Sequence, residues 1–356
     1  MEPTVKIGNK TIGGNEAVYF IADIAANHDG DIERAKHLIH LAAGAGANAA
    51  KFQNFKAEEI VSDWGFTNLK GQMSHQAKWK KSVVEVYREA SVPWAWTQTL
   101  KLECEKAGID YFSAPYDFGA VDMLDEFVDV YKIGSGDITW DEMLEKIANK
   151  GKPVLLATGA SSIGEVQHAV SVLERSDTPL VLMQCNTNYT ASLENFKHIH
   201  LNVLKTYRTI FPEVVLGLSD HTHGHATTLG AVALGARVIE KHFTDDNLRE
   251  GPDHKFAMNP TTWREMVERT RELELAMGSP RKFVAGNEQD TVVIQRRCVR
   301  ASHDLPAGAT ITRDMLSVLR PAPLDAIFPH EINLLIGRRL IRPVGQGEHF
   351  HWNMVE

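Results

Sequence analysis

Charged side chains interrupt three of the short apolar runs in this sequence. Asp23 lies in FIADIA, Lys51 in AAKFQN and Lys132 in VYKIGS. A charge inside an apolar run costs free energy unless it is paired or used, so these positions are candidates for chemistry. Two such lysines, together with Ser135 and Ser219, would make a pocket suited to a phosphate or a carboxylate.

Two other interpretations of the lysines stay open. Each lysine can instead pair with an internal aspartate or glutamate and serve the fold alone. Alternatively, Lys51 or Lys132 can form a Schiff base with a keto substrate, as aldolases do. The residues alone do not choose among these three.

Two histidines occupy matching places in the sequence. His221 follows the run VVLGLSD, and His242 ends the run ARVIEKH. Two neutral imidazoles at strand ends can hold one divalent ion, with a substrate oxygen and water completing the shell. The alternative is a pair of satisfied core histidines. Asp253, in the polar segment REGPDHKFAMNP, is a candidate substrate contact or a turn residue.

The elements that carry these residues must also bring them together. Over the first 280 residues, short apolar runs typical of fully buried parallel strands alternate with amphipathic helical segments. The eight runs are Val18–Ala26, Asn48–Gln53, Asp110–Pro115, Val130–Ser135, Pro153–Thr158, Leu180–Asn186, Val214–Asp220 and Arg237–Phe243. The pattern predicts an α/β fold, a TIM (β/α)8 barrel. A doubly wound open sheet is the alternative, but the sequence contains neither GxGxxG nor GxxxxGK[ST].

A barrel makes a specific prediction, because its catalytic groups lie at the carboxyl ends of the strands. Polar residues occur at this end of nearly every predicted strand, which favours one shared site over scattered structural groups. Besides the residues above, they include Asn27, His28, Gln53, Thr158, Thr187, Tyr189 and Glu240.

Composition excludes several other classes of protein. Apolar residues make up 43% and charged residues 24%, as in ordinary globular chains. The net charge of −8 disfavours a nucleic-acid-binding protein. No run of 18 apolar residues and no apolar leader segment occurs, so neither a membrane span nor a signal peptide is expected. Three separated cysteines without a CxxC motif favour a cytoplasmic protein.

The sequence pattern changes after Met277 from alternating strands and helices to a polar segment and short β-like runs, which predicts a second domain. The polar segment GSPRKFVAGNEQD is typical of a linker. We expect the barrel over residues 1–280, a linker over 281–291 and a small β-rich domain over 292–356. Short β-like runs, broken by DLPAG and GQGEH, support the last of these.

Six segments together resemble the sialic acid synthase family, which condenses phosphoenolpyruvate. They are FIADIAANHDGDIERAKHLI, ANAAKFQNFKAEEIVS, YKIGSGDITW, KPVLLATGAS, GLSDHTHG and EKHFTDDNLREGPDHKFAMNP. The similarity covers the whole chain, and the tail from about Glu288 is similar to the antifreeze-like (SAF) domain that follows the barrel in this family. The resemblance implies that phosphoenolpyruvate and an N-acetylmannosamine-type sugar give a nine-carbon 2-keto-3-deoxy acid and phosphate.

The resemblance also implies roles for individual residues. Lys51, Lys132, Ser135 and Ser219 would hold phosphoenolpyruvate, and Asp23 would be the base that activates water. His221 and His242 would bind Mn²⁺, or else Mg²⁺ or Co²⁺. Gln53, Tyr189 and Asp253 would contact the sugar. Further substrate contacts would be Asn27, His28, Thr158 and Thr187. Arg320 would enter the barrel of a partner subunit, which implies a domain-swapped homodimer.

Three positions depart from the family pattern. Asp23 stands where the family usually has glutamate, and Ala157 replaces a serine that contacts phosphoenolpyruvate, with Thr158 next to it. Thr187 occupies a position that usually holds asparagine or serine. Such changes can alter the acceptor sugar or weaken the enzyme. A Schiff-base aldolase or lyase and a non-catalytic sugar-binding relative therefore stay as alternatives.

Overall fold

The structure is a computed structural model that describes residues 2–69, 79, 81–189 and 191–356. The chain divides into two compact units, Met1–Gly278 and Ser279–Glu356. Among the described residues, no helix is both long enough and apolar enough to cross a membrane.

The first unit contains a hairpin and an eight-stranded parallel sheet. The antiparallel hairpin consists of β1 (Thr4–Ile7) and β2 (Lys10–Gly13). The parallel strands are β3 (Tyr19–Asp23), β4 (Ala49–Asn54), β5 (Asp110–Pro115), β6 (Tyr131–Ile133), β7 (Val154–Ala157), β8 (Leu180–Cys185), β9 (Val215–Asp220) and β10 (Val238–His242). Their order is β5-β4-β3-β10-β9-β8-β7-β6, and β5 lies beside β6, so the sheet forms a nearly closed barrel. The predicted TIM barrel is confirmed.

Each strand presents alternate residues to opposite sides of the barrel wall. One set, which includes Tyr19, Ile21 and Met183, forms an apolar cluster inside the barrel with Val5 and Ile12 of the hairpin. The other set packs against the helices in a larger cluster. The hairpin therefore closes the N-terminal end of the lumen. Polar residues that continue the inner set at the C-terminal end face into the lumen there.

Helices cover the outside of this barrel. They are α1 (Ile32–Gly44), α2 (Ala57–Ile60), α3 (Asp63–Asn68), α4 (Val83–Ala90), α5 (Thr97–Ala107), α6 (Phe118–Leu124), α7 (Asp141–Ala148), α8 (Ile163–Glu174), α9 (Val203–Ile210), α10 (Ala226–Ala233) and α11 (Pro260–Met277). Side-chain caps mark where several begin, because the first amide groups of a helix lack partners within it. Asp31 accepts the N–H groups of Glu33 and Arg34 at the start of α1, and Asn259 caps α11.

The second unit has its own small core. It contains α12 (Gln289–Gln295), β11 (Cys298–Ala301), β12 (Leu316–Leu319) and α13 (Ile332–Leu335). Strands β11 and β12 pair antiparallel, and isolated bridges such as Leu305–Val344 join other extended segments. The segment 281–291, which the sequence favoured as a linker, contains a 3₁₀ turn at Gly286–Glu288 and the start of α12.

Candidate active site

Four charged side chains meet inside the C-terminal end of the barrel. Lys51 Nζ lies 2.7 Å from Asp23 Oδ2 and 3.2 Å from Glu240 Oε1. Lys132 Nζ lies 3.4 Å from the same glutamate oxygen. Each of the four residues is at most 4% exposed. Strands β3, β4, β6 and β10 thus build a desolvated cluster of two cations and two carboxylates.

Mutual attraction sets the charge state of this cluster. Burial opposes a charged Lys51, but the carboxylates of Asp23 and Glu240 raise its pKa. Burial also opposes a charged Glu240, but Lys132 and Lys51 lower its pKa to about 2. For Asp23, burial raises the pKa despite Lys51, and the charge of Glu240 adds to the rise. Glu240 is therefore the fixed anion, and Asp23 is the carboxylate that takes a proton more readily.

The expected cationic pocket needs a correction. Lys51 and Lys132 both have internal carboxylate partners, as the ion-pair interpretation predicted. The pocket is therefore charge-balanced, because two isolated ammonium groups could not be desolvated together at acceptable cost. The lysines nevertheless lie at the C-terminal end of the lumen, where a barrel places its chemistry.

Small polar groups surround the lysines. Ser219 Oγ donates a hydrogen bond to Glu240 Oε1 at 3.2 Å, and Ser135 Oγ accepts one from the Gly159 N–H at 2.9 Å. A Cβ atom at Gly159 would lie 1.9 Å from Thr187 Oγ1 and 2.9 Å from Ser135 Oγ. A side chain at this position would therefore displace the hydroxyls of Thr187 and Ser135. The structure brings Ser135, Ser219 and Thr187 to the same end of the lumen as the lysines.

His221 and His242 lie side by side, with ring centroids 5.3 Å apart. His221 Nδ1 is 3.1 Å from the carbonyl oxygen of Asn186, so this nitrogen carries the proton. His242 Nδ1 is buried without a hydrogen-bond partner, and it lies 3.8 Å from Asp253 Oδ2. Burial lowers the pKa of His242 to about 3, so its imidazole is neutral at pH 7.

These two histidines suit a divalent cation. A neutral imidazole with an orphaned nitrogen, as in His242, is the form that binds a transition metal. Burial opposes a protonated His221, but Cys185 and Asp220 raise its pKa, so a metal ion bound there would displace a proton. Within the described ranges, no group of three or more His, Cys, Asp and Glu side chains is arranged to hold a metal ion. The protein would therefore supply two imidazoles and leave the remaining positions to substrate and water, as proposed from the sequence.

The candidate sugar contacts border the histidines. The ring of Tyr189 meets that of His221 edge to face at 4.4 Å. Asp253 Oδ2 accepts a hydrogen bond from the Ala26 N–H at 3.3 Å. Gln53 is half-buried and shares the lumen side of β4 with Lys51. Tyr189, Asp253 and Gln53 are thus grouped around the same opening.

Two predicted substrate contacts belong instead to the scaffold. Thr158 follows Ala157 by one residue and so faces the helices, because side chains alternate along a strand. Its hydroxyl donates to the Met183 carbonyl at 3.0 Å and accepts from Tyr207 at 2.9 Å. His28 is fully buried, and its ring nitrogens bond the Ala90 carbonyl and the Gly30 N–H. Neither side chain has a group left for a ligand.

Asn27 serves the scaffold of the barrel, and Arg320 belongs to the second unit. Asn27 is fully buried and donates from Nδ2 to the Phe243 carbonyl at 2.9 Å, which ties the loop after β3 to the end of β10. It braces the barrel, and its Oδ1 is buried without a hydrogen-bond partner, so a substrate contact by Asn27 stays a prediction. Arg320 is exposed and follows β12 in the second unit. Its role in a partner barrel stays a prediction.

Glu240 is among the polar residues predicted at the strand ends, but the sequence assigned it no individual role. It lies two residues before His242, so both side chains face the lumen. That two-residue spacing was the signal in the sequence that Glu240 shares the lumen with His242. Lys241 and Asp220, between and beside these residues, face the helices and form a separate buried ion pair.

Comparison with models of protein families shows which family the chain belongs to. Residues 38–282 match the model of the NeuB family, and residues 296–356 match that of the SAF domain. The chain belongs to the NeuB family. The resemblance drawn from the six segments and the identity of the C-terminal domain are both confirmed.

NeuB relatives extend over most of the chain. An uncharacterized protein of Methanocaldococcus jannaschii is 34% identical and covers 98% of each chain. The N,N'-diacetyllegionaminic acid synthase of Campylobacter jejuni is 35% identical over 85% of this chain and 90% of its own. Human N-acetylneuraminate-9-phosphate synthase is 30% identical over 97% of this chain and 94% of its own. The named relatives are thus synthases of different nonulosonic acids.

A crystal structure of a NeuB relative supports the same fold. The N-acetylneuraminic acid synthetase of Leptospira borgpetersenii, solved in complex with citrate, is 31% identical. It aligns with a TM-score of 0.72 over 82% of this chain and 96% of that one.

Proposed function

We propose that this NeuB family member is a nonulosonic acid synthase that condenses phosphoenolpyruvate with an N-acetylmannosamine-type sugar and releases phosphate. One observation carries the proposal: Lys51 and Lys132 are desolvated at the C-terminal end of the barrel, next to the paired imidazoles of His221 and His242. An anionic substrate would contact the lysines, while the acceptor would lie near the histidines, Tyr189, Gln53 and Asp253.

The lysines suit a substrate with both a phosphate and a carboxylate. Each already faces a carboxylate, and Ser135 and Ser219 lie nearby, so the groups that would bind the anion are held in place before it arrives. Such preorganisation reduces the cost of orienting the substrate. We assign phosphoenolpyruvate binding to Lys51, Lys132, Ser135 and Ser219.

The proposed reaction joins C3 of phosphoenolpyruvate to C1 of the open-chain sugar, whose aldehyde oxygen takes up a proton. Water then adds at C2 of the former phosphoenolpyruvate and gives its proton to a base. The C–O bond to phosphate finally breaks while the new hydroxyl gives up its proton to the departing phosphate, which leaves the 2-keto acid. Asp23 is the proposed base, because burial raises its pKa towards the range in which a carboxylate can accept and return a proton.

A divalent cation bound by His221 and His242 would polarise the aldehyde oxygen of the sugar. We propose Mn²⁺, with Mg²⁺ or Co²⁺ as substitutes, and a domain-swapped homodimer in which Arg320 completes the partner's sugar site. The named relatives are synthases of different nonulosonic acids, so their names do not choose the acceptor sugar.

The Schiff-base alternative is disfavoured by the charge of Lys51. A Schiff base needs a neutral amine, whereas Asp23 and Glu240 raise the pKa of Lys51. One assay distinguishes the proposed condensation from the Schiff-base route. The protein is incubated with phosphoenolpyruvate, Mn²⁺ and, in turn, N-acetylmannosamine, its 6-phosphate and dideoxy-diacetamido hexoses. We expect phosphate and a nine-carbon acid with one acceptor, and no adduct after borohydride. Borohydride-trapped protein, or no product with any acceptor, would overturn the proposal.

A further inference from the structure

A network of charges joins the loops that follow the first and last strands of the barrel. We call residues 24–31, after β3, loop 1, and residues 243–259, after β10, loop 8. Loop 1 carries Asp29, loop 8 carries Asp245 and His254, and Arg34 lies in the first turns of α1. The proposed function uses none of these four side chains.

Arg34 connects both loops at once. Its Nη1 and Nη2 atoms each lie 2.7 Å from a carboxylate oxygen of Asp245, in the two-pronged geometry that only arginine provides. Its Nε donates to the Asn27 carbonyl at 2.8 Å and lies 3.0 Å from Asp29 Oδ2. Only 9% of the Arg34 side chain is exposed, so solvent weakens these bonds little.

His254 makes a second connection from the loop 8 side. Its Nε2 lies 2.9 Å from Asp29 Oδ1, and its Nδ1 lies 2.8 Å from Thr244 Oγ1. The ring is fully buried. A Cβ atom at Gly251 would lie 2.6 Å from His254 Cδ2, so the backbone of loop 8 folds tightly around this ring.

The residue next to His254 is Asp253, the candidate sugar contact. Its carboxylate lies 3.3 Å from the Ala26 amide of loop 1 and 3.8 Å from His242 Nδ1. Its position therefore depends on how loop 8 is held against loop 1. Besides the bonds of Arg34 and His254, the two loops are joined by that long hydrogen bond, by the Asn27–Phe243 hydrogen bond at the start of loop 8, and by Arg249 Nη1, which lies 3.7 Å from Asp29 Oδ2.

We propose that Arg34, Asp245, Asp29 and His254 form a latch that holds Asp253 in place for the acceptor sugar. They are positioning residues and touch no reacting atom. The inference rests on the proposed function, because it assigns the sugar to Asp253. Opening the latch displaces a sugar contact but leaves the lysine cluster intact, so it weakens binding of the sugar and not of phosphoenolpyruvate. A displacement of about 1 Å is enough to cost an enzyme up to about 100-fold.

The test uses Arg34→Gln and Asp245→Asn in the full-length protein, with Arg271→Gln as the matched control. Arg271 of α11 also joins a helix to the barrel, through the Val18 carbonyl at the opposite end of β3, and it pairs with Glu274 of its own helix. We expect KM for the sugar to rise about tenfold in both latch variants, with KM for phosphoenolpyruvate within about twofold of the wild type. Arg34→Lys should recover only part of the loss.

Hydrogen exchange of the same variants gives a readout that does not require turnover. Arg34→Gln should speed exchange in residues 244–259, whereas Arg271→Gln should not. Equal rises in both KM values, the same sugar defect in the control, or unchanged exchange in loop 8 would overturn the latch. A wild-type protein inactive with every sugar would instead refute the proposed function, while the exchange result would still decide whether the latch holds loop 8.

Discussion

Lys51 and Asp23 stand directly opposite each other on adjacent parallel strands, and their side chains meet inside the barrel with 2.7 Å between Nζ and Oδ2. The register of β3 against β4 therefore fixes the pair. Glu240 completes the arrangement from β10, on the other side of β3. The lumen thus keeps Lys51 charged and in place by surrounding it with anions.

Replacing Glu240 by glutamine should strongly destabilise the fold. Its pKa is lowered to about 2 by Lys132 and Lys51. A lowered carboxylate pKa stabilises the native state above the ordinary value near 4.5, and this contribution disappears as the pH falls towards 2. We expect Glu240→Gln to lose about 3 kcal/mol of unfolding free energy at pH 7, measured by urea denaturation. Glu268→Gln, on the exposed side of α11, serves as control; equal losses in both variants would contradict this assignment.

The low pKa of His242 has a different consequence for stability. The folded imidazole stays neutral down to about pH 3, whereas the unfolded one takes up a proton below about 6.5. Wild-type stability should therefore fall between pH 7 and pH 5 by about 2 kcal/mol more than that of His242→Asn. Unfolding measured at both pH values checks this. An identical pH dependence in the two proteins would show that His242 is protonated in the native state.

Removing a candidate metal ligand should abolish activity without unfolding the protein. His221→Ala should lower both Mn²⁺ affinity and kcat by roughly 100-fold or more, because even the residues that support a metal ligand contribute 10- to 100-fold. Calorimetric titration of Mn²⁺ and turnover assays measure the two effects. His223→Gln is the control, since this loop histidine bonds only the Ala191 carbonyl among the described contacts. Full activity of His221→Ala in the presence of a chelator would rule out the metal site.

The proposed base can be tested by an isosteric change. Asp23→Asn keeps the shape of the side chain but removes the acceptor of the proton. We expect kcat to fall by 10² to 10⁴, the usual contribution of a general base, while KM for phosphoenolpyruvate changes much less. A fall in kcat smaller than about tenfold would assign the base elsewhere in the lumen.

The sequence predicted the barrel because each buried parallel strand leaves a short apolar run, and eight such runs alternate with helices. It also predicted that Lys51, Lys132, Ser219, His221 and His242 meet, since strand ends converge in a barrel. It misplaced Thr158, which is one residue beyond the inner set of β7 and so turns to the helices. The sequence could not show that His28 is a scaffold residue either. Its ring bonds the Ala90 carbonyl, which is distant in the chain, and the Gly30 N–H of a local turn.

Long-range pairing explains what the sequence could not show. Arg34 and Asp245 are separated by most of the barrel in the chain, yet closure of the sheet brings the first and last loops together. Periodicity within a strand or helix carries no information about such a contact. The ion-pair partners of Glu240 were hidden for the same reason, since they lie on β4 and β6.

The central claim is most directly tested by the fate of one oxygen atom. Phosphoenolpyruvate carrying oxygen-18 in its C–O–P bridge is incubated with the protein, Mn²⁺ and the acceptor sugar, and the released phosphate is examined by phosphorus NMR. We predict that all of the phosphate retains the label, and that none forms without the sugar, because the C–O bond breaks after condensation. Unlabelled phosphate, or phosphate released equally fast without sugar, would contradict the account.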